Sequence, residues 1–312
     1  MPTSPRLLSH LDGRLMLTDS GIETDIIFGA GRELPAFAVF PLLGDDEGRA
    51  ILDRYYREHL SVAAEHGVGY VLETPTWRSN ADWGTSLGYT RDELDDLDRE
   101  GVAFLSAIRA SSAAPDLPIS GCIGPRGDGY SVGTVMSADE AREYHAHQVQ
   151  VLAGAGCDLV SVLTLTYAAE GLGIAQAARD ADVPVVLYFT VETDGRLPDG
   201  SGLGDAIGLI DGVTDHYVAY YGINCAHPDH IAPGIAEGGE WLKRIRAVRA
   251  NASRMSHAKL DEAEDLDDGD PEELAAGYTG LRQSLPSANV FGGCCGTDIR
   301  HVRAIAAAMA RP

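Results

Sequence analysis

Short apolar runs alternate with longer helical stretches along this chain, and the alternation limits the folds that it can adopt. Runs in which nearly every residue is apolar predict strands buried on both faces, as in a parallel sheet with helices between its strands. Eight such units in 312 residues fit the α/β class as a TIM (β/α)8 barrel. A doubly wound open sheet is the alternative, although no G-x-G-x-x-G follows the first strand. The predicted strands are 15–19, 68–73, 117–122, 157–163, 183–189, 218–224, 245–250 and 288–292.

The organisation along the chain predicts one domain over residues 1–312. No sharp change of composition marks a boundary. Nine of the thirteen residues in 261–273 are acidic, and a charge run of this kind is typical of a solvated loop. We therefore expect an acidic surface insertion at 256–273, before the eighth strand.

The formal net charge is −23, from 47 acidic and 24 basic residues, which argues against nucleic-acid or membrane-surface binding. No apolar run approaches the roughly 18–20 residues that span a bilayer, and the first residues lack the pattern of a secretory signal. We expect a cytoplasmic protein with small-molecule partners, and the sequence leaves homo-oligomer formation open. Five cysteines, an odd number in a large chain without a signal, argue against a disulfide framework.

Three cysteines are the strongest candidates for chemistry. Cys225 directly follows the sixth predicted strand, and Cys294 and Cys295 follow the eighth. Because the carboxyl ends of TIM-barrel strands meet at one face, we expect these side chains to lie together. Three thiolates suit Zn²⁺, and three protein ligands leave the fourth tetrahedral position open, as in catalytic zinc sites.

Adjacent residues of a regular strand point to opposite faces, so the Cys294–Cys295 pair reaches one ion only if the backbone bends. The flanking Gly292, Gly293 and Gly296 would supply that freedom. The alternative for the pair is that both thiols fill the core. Two further cysteines inside apolar strands are interpreted as core residues: Cys122 and Cys157.

A zinc site of this kind would act on thiols. A free thiol has a pKa near 8.5, so only about 3% of it is thiolate at pH 7. Coordination to zinc removes the proton. A thiol substrate in the open position would therefore be held as a thiolate, ready to attack an electrophilic carbon.

The cysteine motifs read GINC at 222–225 and GGCCGT at 292–297, and both resemble motifs of the homocysteine S-methyltransferase family. The resemblance runs over nearly the whole chain. It implies a TIM barrel, a zinc ion on the three cysteines and methyl transfer to a thiol, which yields methionine where the acceptor is homocysteine. Less specific matches lie at 19–24, 73–77, 124–125 and 189–200.

The end of the fourth predicted strand departs from the family pattern. Family members have E-T-x-P there, and the Glu holds the amino group of homocysteine, whereas this chain has Leu-Thr-Leu-Thr from Leu163 to Thr166. Losing a charge-assisted contact to an ammonium costs roughly 1.5–3 kcal/mol. Either another acid replaces this Glu, or the acceptor is a different thiol. The opening motif also departs from the family, at Ser20 and Glu23.

Six more residues at strand ends and loop starts are candidates for substrate contacts. Asp19 and Glu73 end the first and second strands, and Glu23 is an acid that could replace the missing Glu. Trp77 could form an apolar wall or a cation–π face for a sulfonium or quaternary ammonium donor. A turn aspartate at 19, surface placement at 23 and packing under a loop at 77 are the structural alternatives. The last two candidates are Tyr167, beyond the fourth strand, and Asn224, which precedes a proposed ligand.

A catalytic zinc site has three protein ligands, and the three cysteine sulfurs supply all of them. No histidine is therefore assigned to the site. His145 and His147 fall on different faces of a helix, and His301 is expected to face solvent. A structural zinc, or a thiol-binding protein without catalysis, is the alternative. It would need a fourth protein ligand, for which His227 is the nearest candidate.

Together these observations predict a zinc-dependent S-methyltransferase, in which an acceptor thiolate displaces a methyl group from a cationic donor by in-line attack. The resemblance implies a sulfonium donor, such as S-methylmethionine or S-adenosylmethionine, or a betaine-like ammonium compound. We expect no folate or cobalamin, since 312 residues leave no room for extensions that bind them.

Overall fold

The computed structural model describes residues 8–263 and 265–310, and within them nine parallel strands form a nearly closed barrel surrounded by helices. The predicted TIM barrel is therefore confirmed. The strands are β1 (Met16–Leu17), β2 (Gly69–Tyr70), β3 (Leu72–Glu73), β4 (Ile119–Ile123), β5 (Leu159–Leu165), β6 (Val185–Phe189), β7 (Tyr220–Asn224), β8 (Ile245–Ala250) and β9 (Val290–Gly293).

The second predicted strand is divided into β2 and β3, which flank Val71. β2 pairs with β1 and β3 pairs with β4, so the two pieces join opposite ends of the sheet order. The Val71 amide donates to the Leu17 carbonyl at 2.9 Å. The barrel closes across this interruption.

Helices cover the outside of the barrel, and several of them begin at a side-chain cap. Thr90 and Ser137 each form a capping box with the glutamate three residues later. None of the helices in the described residues is both long and apolar enough to cross a membrane. The helices are α1 (Ile22–Thr24), α2 (Asp46–His66), α3 (Ala81–Ser86), α4 (Arg91–Ser111), α5 (Ala138–Ala155), α6 (Ala168–Asp180), α7 (Leu203–Thr214), α8 (Pro228–Ile235), α9 (His257–Asp261), α10 (Pro271–Ser284) and α11 (Ile299–Met309).

Alternation along the strands divides the core into two layers. In β6, Val186 and Tyr188 point into the barrel, whereas Val185, Leu187 and Phe189 pack against the helices. Both sets are buried, which explains why the strands appear in the sequence as continuous apolar runs.

Residues 8–14 close the end of the barrel where the strands begin. His10 lies there with its Nε2 3.2 Å from the Tyr220 hydroxyl, and burial lowers the pKa of His10 to about 4. Asn289, just before β9, donates to the carbonyls of His10 and Arg14 at 2.7 and 2.6 Å. The opposite end, where the strands finish, holds the candidate site.

The acidic segment predicted as a surface insertion is only partly on the surface. Most of the described residues between α9 and α10 are exposed. However, the His257 side chain at the start of α9 is buried, and Asp261 at its end lines the main cavity. This insertion therefore contributes to the mouth of the barrel.

Candidate functional site

A cavity of about 170 Å³ opens at the carboxyl ends of the strands. Most of its walls come from the loops after β1, β3, β4, β7 and β9 and from residues near the ends of β5 and β8. This is the end of a TIM barrel at which active sites form.

Cys225 enters the cavity wall directly after β7. Its φ of 52° places it in the left-handed region, which is uncommon for a residue with a side chain and is found at functional sites. The Cys225 amide donates to the Arg249 carbonyl at 3.0 Å. The turn out of β7 is thereby anchored to β8.

Cys294 and Cys295 follow β9, as predicted. The Cys294 amide donates to the Ala250 carbonyl at 2.9 Å, and the Cys295 carbonyl accepts from the Ala252 amide at 3.1 Å. The backbone bends after the pair at Gly296, which has a φ of 79°. Gly292 and Gly293 instead belong to the regular strand, so the expected bend does not begin there.

The sulfur atoms of Cys225, Cys294 and Cys295 all lie within 4.8 Å of one another, and they form the one group of potential metal ligands found among the described residues. Cys225 and Cys294 are joined as a disulfide, with their Cα atoms 5.3 Å apart, and the Cys295 sulfur lies 3.8 Å from that of Cys225. This bond departs from the expectation of unpaired cysteines, because converging strand ends bring two thiols within bonding reach. In the reduced state the same three sulfurs form a donor set that suits Zn²⁺.

Polar groups surround the sulfur cluster. Burial raises the pKa of the Cys295 thiol to about 11, although a hydrogen bond with Tyr130 opposes that shift. The Tyr130 ring stacks on His257 with centroids 4.1 Å apart, and His257 Nε2 donates to the Cys225 carbonyl at 2.7 Å. The loop after β4 and the insertion before α10 therefore meet over the cysteines.

Arg249, which the sequence did not single out, connects two of the predicted substrate residues. Its guanidinium forms ion pairs with Asp19 (2.5 Å) and with Glu73, and its Nε donates to the Gly293 carbonyl at 3.1 Å. All three charged side chains are almost fully buried. Burial alone would lower the pKa of Arg249, but the two carboxylates raise it well above its ordinary value. Asp19 and Glu73 line the cavity, but a protein cation already neutralises part of their charge.

Glu23 also lines the cavity but has no such partner. Within the described residues, its carboxylate forms no ion pair, although the nearby charges of Arg249 and Arg78 act to lower its pKa. Burial raises the pKa of Glu23 to about 7, and the nearby Asp19 adds to that rise. Of the three predicted acids, Glu23 is the one left to interact with a ligand.

The end of β5, where the family carboxylate is missing, is filled by neutral groups. Leu163 lines the cavity, and Thr164 has a φ of 60°. The Thr164 amide donates to Asn224 Oδ1 at 2.9 Å, and its hydroxyl accepts from the Trp77 indole at 3.1 Å. Asn224 Nδ2 lies 3.8 Å from the Cys294 sulfur. Asn224 therefore connects this strand end to the sulfur cluster.

Trp77 lines the cavity, but one face of its ring already carries a cation. The Arg78 guanidinium carbon lies 4.0 Å from the centroid of the Trp77 ring and 4.0 Å from that of Trp83. Arg78 also lines the cavity and was not among the predicted site residues. Arg78 directly follows the predicted site residue Trp77 in the sequence, and this position could have identified it as a candidate.

Tyr167, a predicted site residue, is not among the residues that line the cavity. It is the residue before α6, and its hydroxyl accepts from the Met136 amide at 3.2 Å. The ring therefore supports the loop before α5 from outside the cavity.

The histidines weighed as zinc ligands do not belong to the group of converging sulfurs. His145 is buried beside Glu170, whereas His147 is partly exposed beside Asp95, in keeping with their different faces. His227 caps α8 by accepting from the Asp229 amide. The expectation for His301 is wrong: the side chain is fully buried, and its Nε2 donates to the Asp268 carbonyl at 2.8 Å. His301 forms a capping box with Asp298 at the start of α11, which explains why its side chain is buried.

The fold and a three-sulfur cluster at the strand ends define a TIM-barrel protein with a candidate metal centre. The family model for homocysteine S-methyltransferase matches residues 34–309. The chain therefore belongs to the homocysteine S-methyltransferase family, as its cysteine motifs predicted.

Relatives of known name support the assignment at low identity. The chain is 23% identical to homocysteine S-methyltransferase 1 of Arabidopsis thaliana, covering 94% of this chain and 93% of that protein. It is 28% identical to methionine synthase of Mycobacterium leprae over 84% of this chain, but it spans only 21% of that protein's length. The structure resembles the metallated form of the homocysteine methyltransferase MmuM from Escherichia coli with a TM-score of 0.73, at 19% identity and over 97% and 99% of the two chains. At that identity the structural likeness supports the fold alone.

Proposed function

We propose that the chain is a zinc-dependent S-methyltransferase that transfers a methyl group from a cationic donor to a small thiol, with homocysteine the first candidate acceptor and methionine its product. The observation that carries this proposal is the convergence of three cysteine sulfurs within 4.8 Å at the end of the barrel cavity. Membership of the family and the metallated state named for the bacterial homologue support it.

The donor set fits zinc, with Cys225, Cys294 and Cys295 as the ligands. When bound, zinc would supply a Lewis acid that holds the acceptor sulfur as a thiolate. The chain's own residues would position the reactants around that sulfur. Asn224 orients the strand ends beside Cys294, and the enclosing walls keep the two reactants aligned for in-line attack.

Glu23 is the group we propose for the acceptor ammonium, in place of the carboxylate missing at Leu163. It lines the same cavity and has no ion-pair partner among the described residues. Asp19 and Glu73 are weaker candidates because Arg249 pairs with both. Trp77 forms an aromatic wall for the donor.

Metal-edge absorption spectroscopy on reduced, zinc-loaded protein tests the proposal. We expect about one zinc per chain with three sulfur ligands, and a fourth sulfur only when the acceptor thiol is added. Methyl transfer is then followed with S-methylmethionine or a betaine as donor. Failure to retain zinc under reducing conditions, or no transfer from either class of donor, would reject it.

A second candidate is transfer to a thiol other than homocysteine. The neutral Leu163 in the cavity wall favours it, because this position offers no carboxylate to an ammonium group. A panel of thiols assayed with a single donor distinguishes the two possibilities. Strong preference for homocysteine would reject this second candidate.

A non-catalytic structural zinc is tested by His227→Ala. The Nδ1 atom of His227 is engaged by the Asp229 amide, and this favours an open fourth position. We expect the variant to retain zinc. Loss of the metal would support a structural site instead.

A further inference from the structure

Two buried arginines face the same cavity, and they differ in how completely the protein satisfies them. Arg249 donates to two carboxylates and to the carbonyls of Ser20 and Gly293. Arg78 is 6% exposed, yet it makes one hydrogen bond within the described residues, from Nη1 to the Gly127 carbonyl at 2.9 Å. A buried guanidinium normally has partners for most of its five N–H groups.

The remaining donors of Arg78 have little to bind. Its Nε is buried with no hydrogen-bond partner among the described residues. Its Nη2 lies 3.9 Å from the carboxylate of Asp128, too far for a hydrogen bond, and that carboxylate is partly exposed. Burial lowers the pKa of Arg78 to about 10, so the side chain remains a cation at neutral pH.

Arg78 is also held firmly in position. Its guanidinium lies between the rings of Trp77 and Trp83, 4.0 Å from each centroid. Stacking of this kind leaves the edge of the guanidinium plane free to bind a planar anion through two parallel hydrogen bonds. A carboxylate is the small anion whose geometry matches that edge.

We propose that Arg78 binds the carboxylate of the acceptor thiol and so selects acceptors that carry one. This inference rests on the proposed function, since it requires that a thiol occupies the cavity next to the cysteines. Glu23 would then face the ammonium of an amino-acid acceptor. The pair would bind a zwitterion from two sides, whereas the metal centre would bind its sulfur.

Equilibrium binding without a donor tests the proposal. Calorimetry is performed on reduced, zinc-loaded protein with three thiols: homocysteine, 3-aminopropane-1-thiol, which lacks the carboxylate, and 4-mercaptobutanoate, which lacks the ammonium. We expect Arg78→Gln to weaken binding of homocysteine and 4-mercaptobutanoate by about 10- to 100-fold, as for a lost charge-assisted hydrogen bond. Binding of 3-aminopropane-1-thiol should change by less than about twofold, since it makes no such bond.

Arg126→Gln is the matched control. Arg126 lies in the loop after β4, its guanidinium carbon is 4.6 Å from the centroid of the Tyr144 ring and it pairs with Asp82, but it does not line the cavity. We expect this variant to bind all three thiols as the wild type does. Should Arg78→Gln fail to fold, Arg78→Lys keeps the charge but loses the planar edge, and it should weaken binding of the two carboxylate-bearing thiols alone.

Two results would overturn the inference. An equal loss for all three thiols would mean that Arg78 only positions the loop carrying Gly127 and Asp128. Unchanged thiol binding together with a higher KM for a carboxylate-bearing donor would assign Arg78 to the donor. If the wild type binds none of the thiols, the proposed function itself fails, and that result is distinct from both.

Discussion

The two sides of the cavity differ in what their residues are free to do. On the side of β7 and β9, three cysteines of one chemical type converge, and their motifs alone identify them. On the side of β1 and β3, residues of the same charge have different surroundings. Asp19 and Glu73 are paired with Arg249, whereas Glu23 is left without an ion-pair partner in the described part of the chain. On the first side, residue type alone therefore identifies the candidate functional residues. On the second side, only the contacts of each residue distinguish those that can bind a ligand from those that are structural.

The largest effect is expected from the sulfur side. Cys225→Ser or Cys295→Ser should abolish stoichiometric zinc binding, because one thiolate ligand is removed. Methyl transfer should fall by at least about a thousandfold, equivalent to several kcal/mol of barrier. Metal content by mass spectrometry and initial rates under reducing conditions measure the two effects.

Cys157→Ala is the control for these variants. Cys157 is fully buried outside the cluster, so the variant should lose some stability but keep its zinc. If Cys295→Ser retained full activity, the sulfur cluster would have no part in the mechanism.

The next largest effect concerns the stability contributed by Arg249. Arg249→Met leaves two buried carboxylates without their cation, and breaking such a pair costs about 3–5 kcal/mol of the free energy of unfolding. Urea denaturation measures the loss. Arg78→Met should cost clearly less, since Arg78 makes one hydrogen bond within the described residues. Similar losses for the two variants would contradict the distinction between a structural and a ligand-binding arginine.

A third prediction concerns Glu23. Glu23→Gln should weaken the binding of ammonium-bearing thiols by about 10- to 100-fold, the effect of losing a charge-assisted contact. Thiols without an ammonium should bind as before. Calorimetry with homocysteine and 4-mercaptobutanoate makes the comparison.

The pH dependence of binding gives a second test of Glu23. Burial raises its pKa to about 7 against the opposing charges of Arg249 and Arg78, and Asp19 adds to the rise. The carboxyl is therefore neutral below pH 7 and charged above it. Binding of an ammonium-bearing thiol to the wild type should weaken as the pH falls from 8 to 6, relative to Glu23→Gln. Parallel pH profiles for the two proteins would argue against the role of Glu23.

Local patterns predicted most of the fold. Helix α5 lies between the third and fourth predicted strands, and local residues set its ends, since Ser137 caps its start and Gly156, with a φ of 93°, ends it. Strand β8 coincides with the predicted 245–250. The division of the second strand at Val71 could not be predicted, since the apolar pattern continues across the break.

The charged contacts in the site could not be predicted from local sequence patterns. Arg249 pairs with Asp19 and Glu73, which are 230 and 176 residues away in sequence. A single sequence carries no signal for such a pairing, except that Arg249 lies one residue before the end of β8. His301 was mistaken for a surface residue because the capping box that buries it depends on how the loop before α11 folds back.

The smallest effect is expected outside the cavity, at Tyr167. Tyr167→Phe removes a hydroxyl that accepts from the Met136 amide, and the loss of this hydrogen bond should cost about 1 kcal/mol of stability. Thiol binding should change by less than about twofold, because the ring does not line the cavity. Thermal unfolding and calorimetry on the same preparation separate the two effects. A tenfold loss of thiol affinity with unchanged stability would mean that Tyr167 contacts the ligand and that the binding site reaches beyond the cavity walls described above.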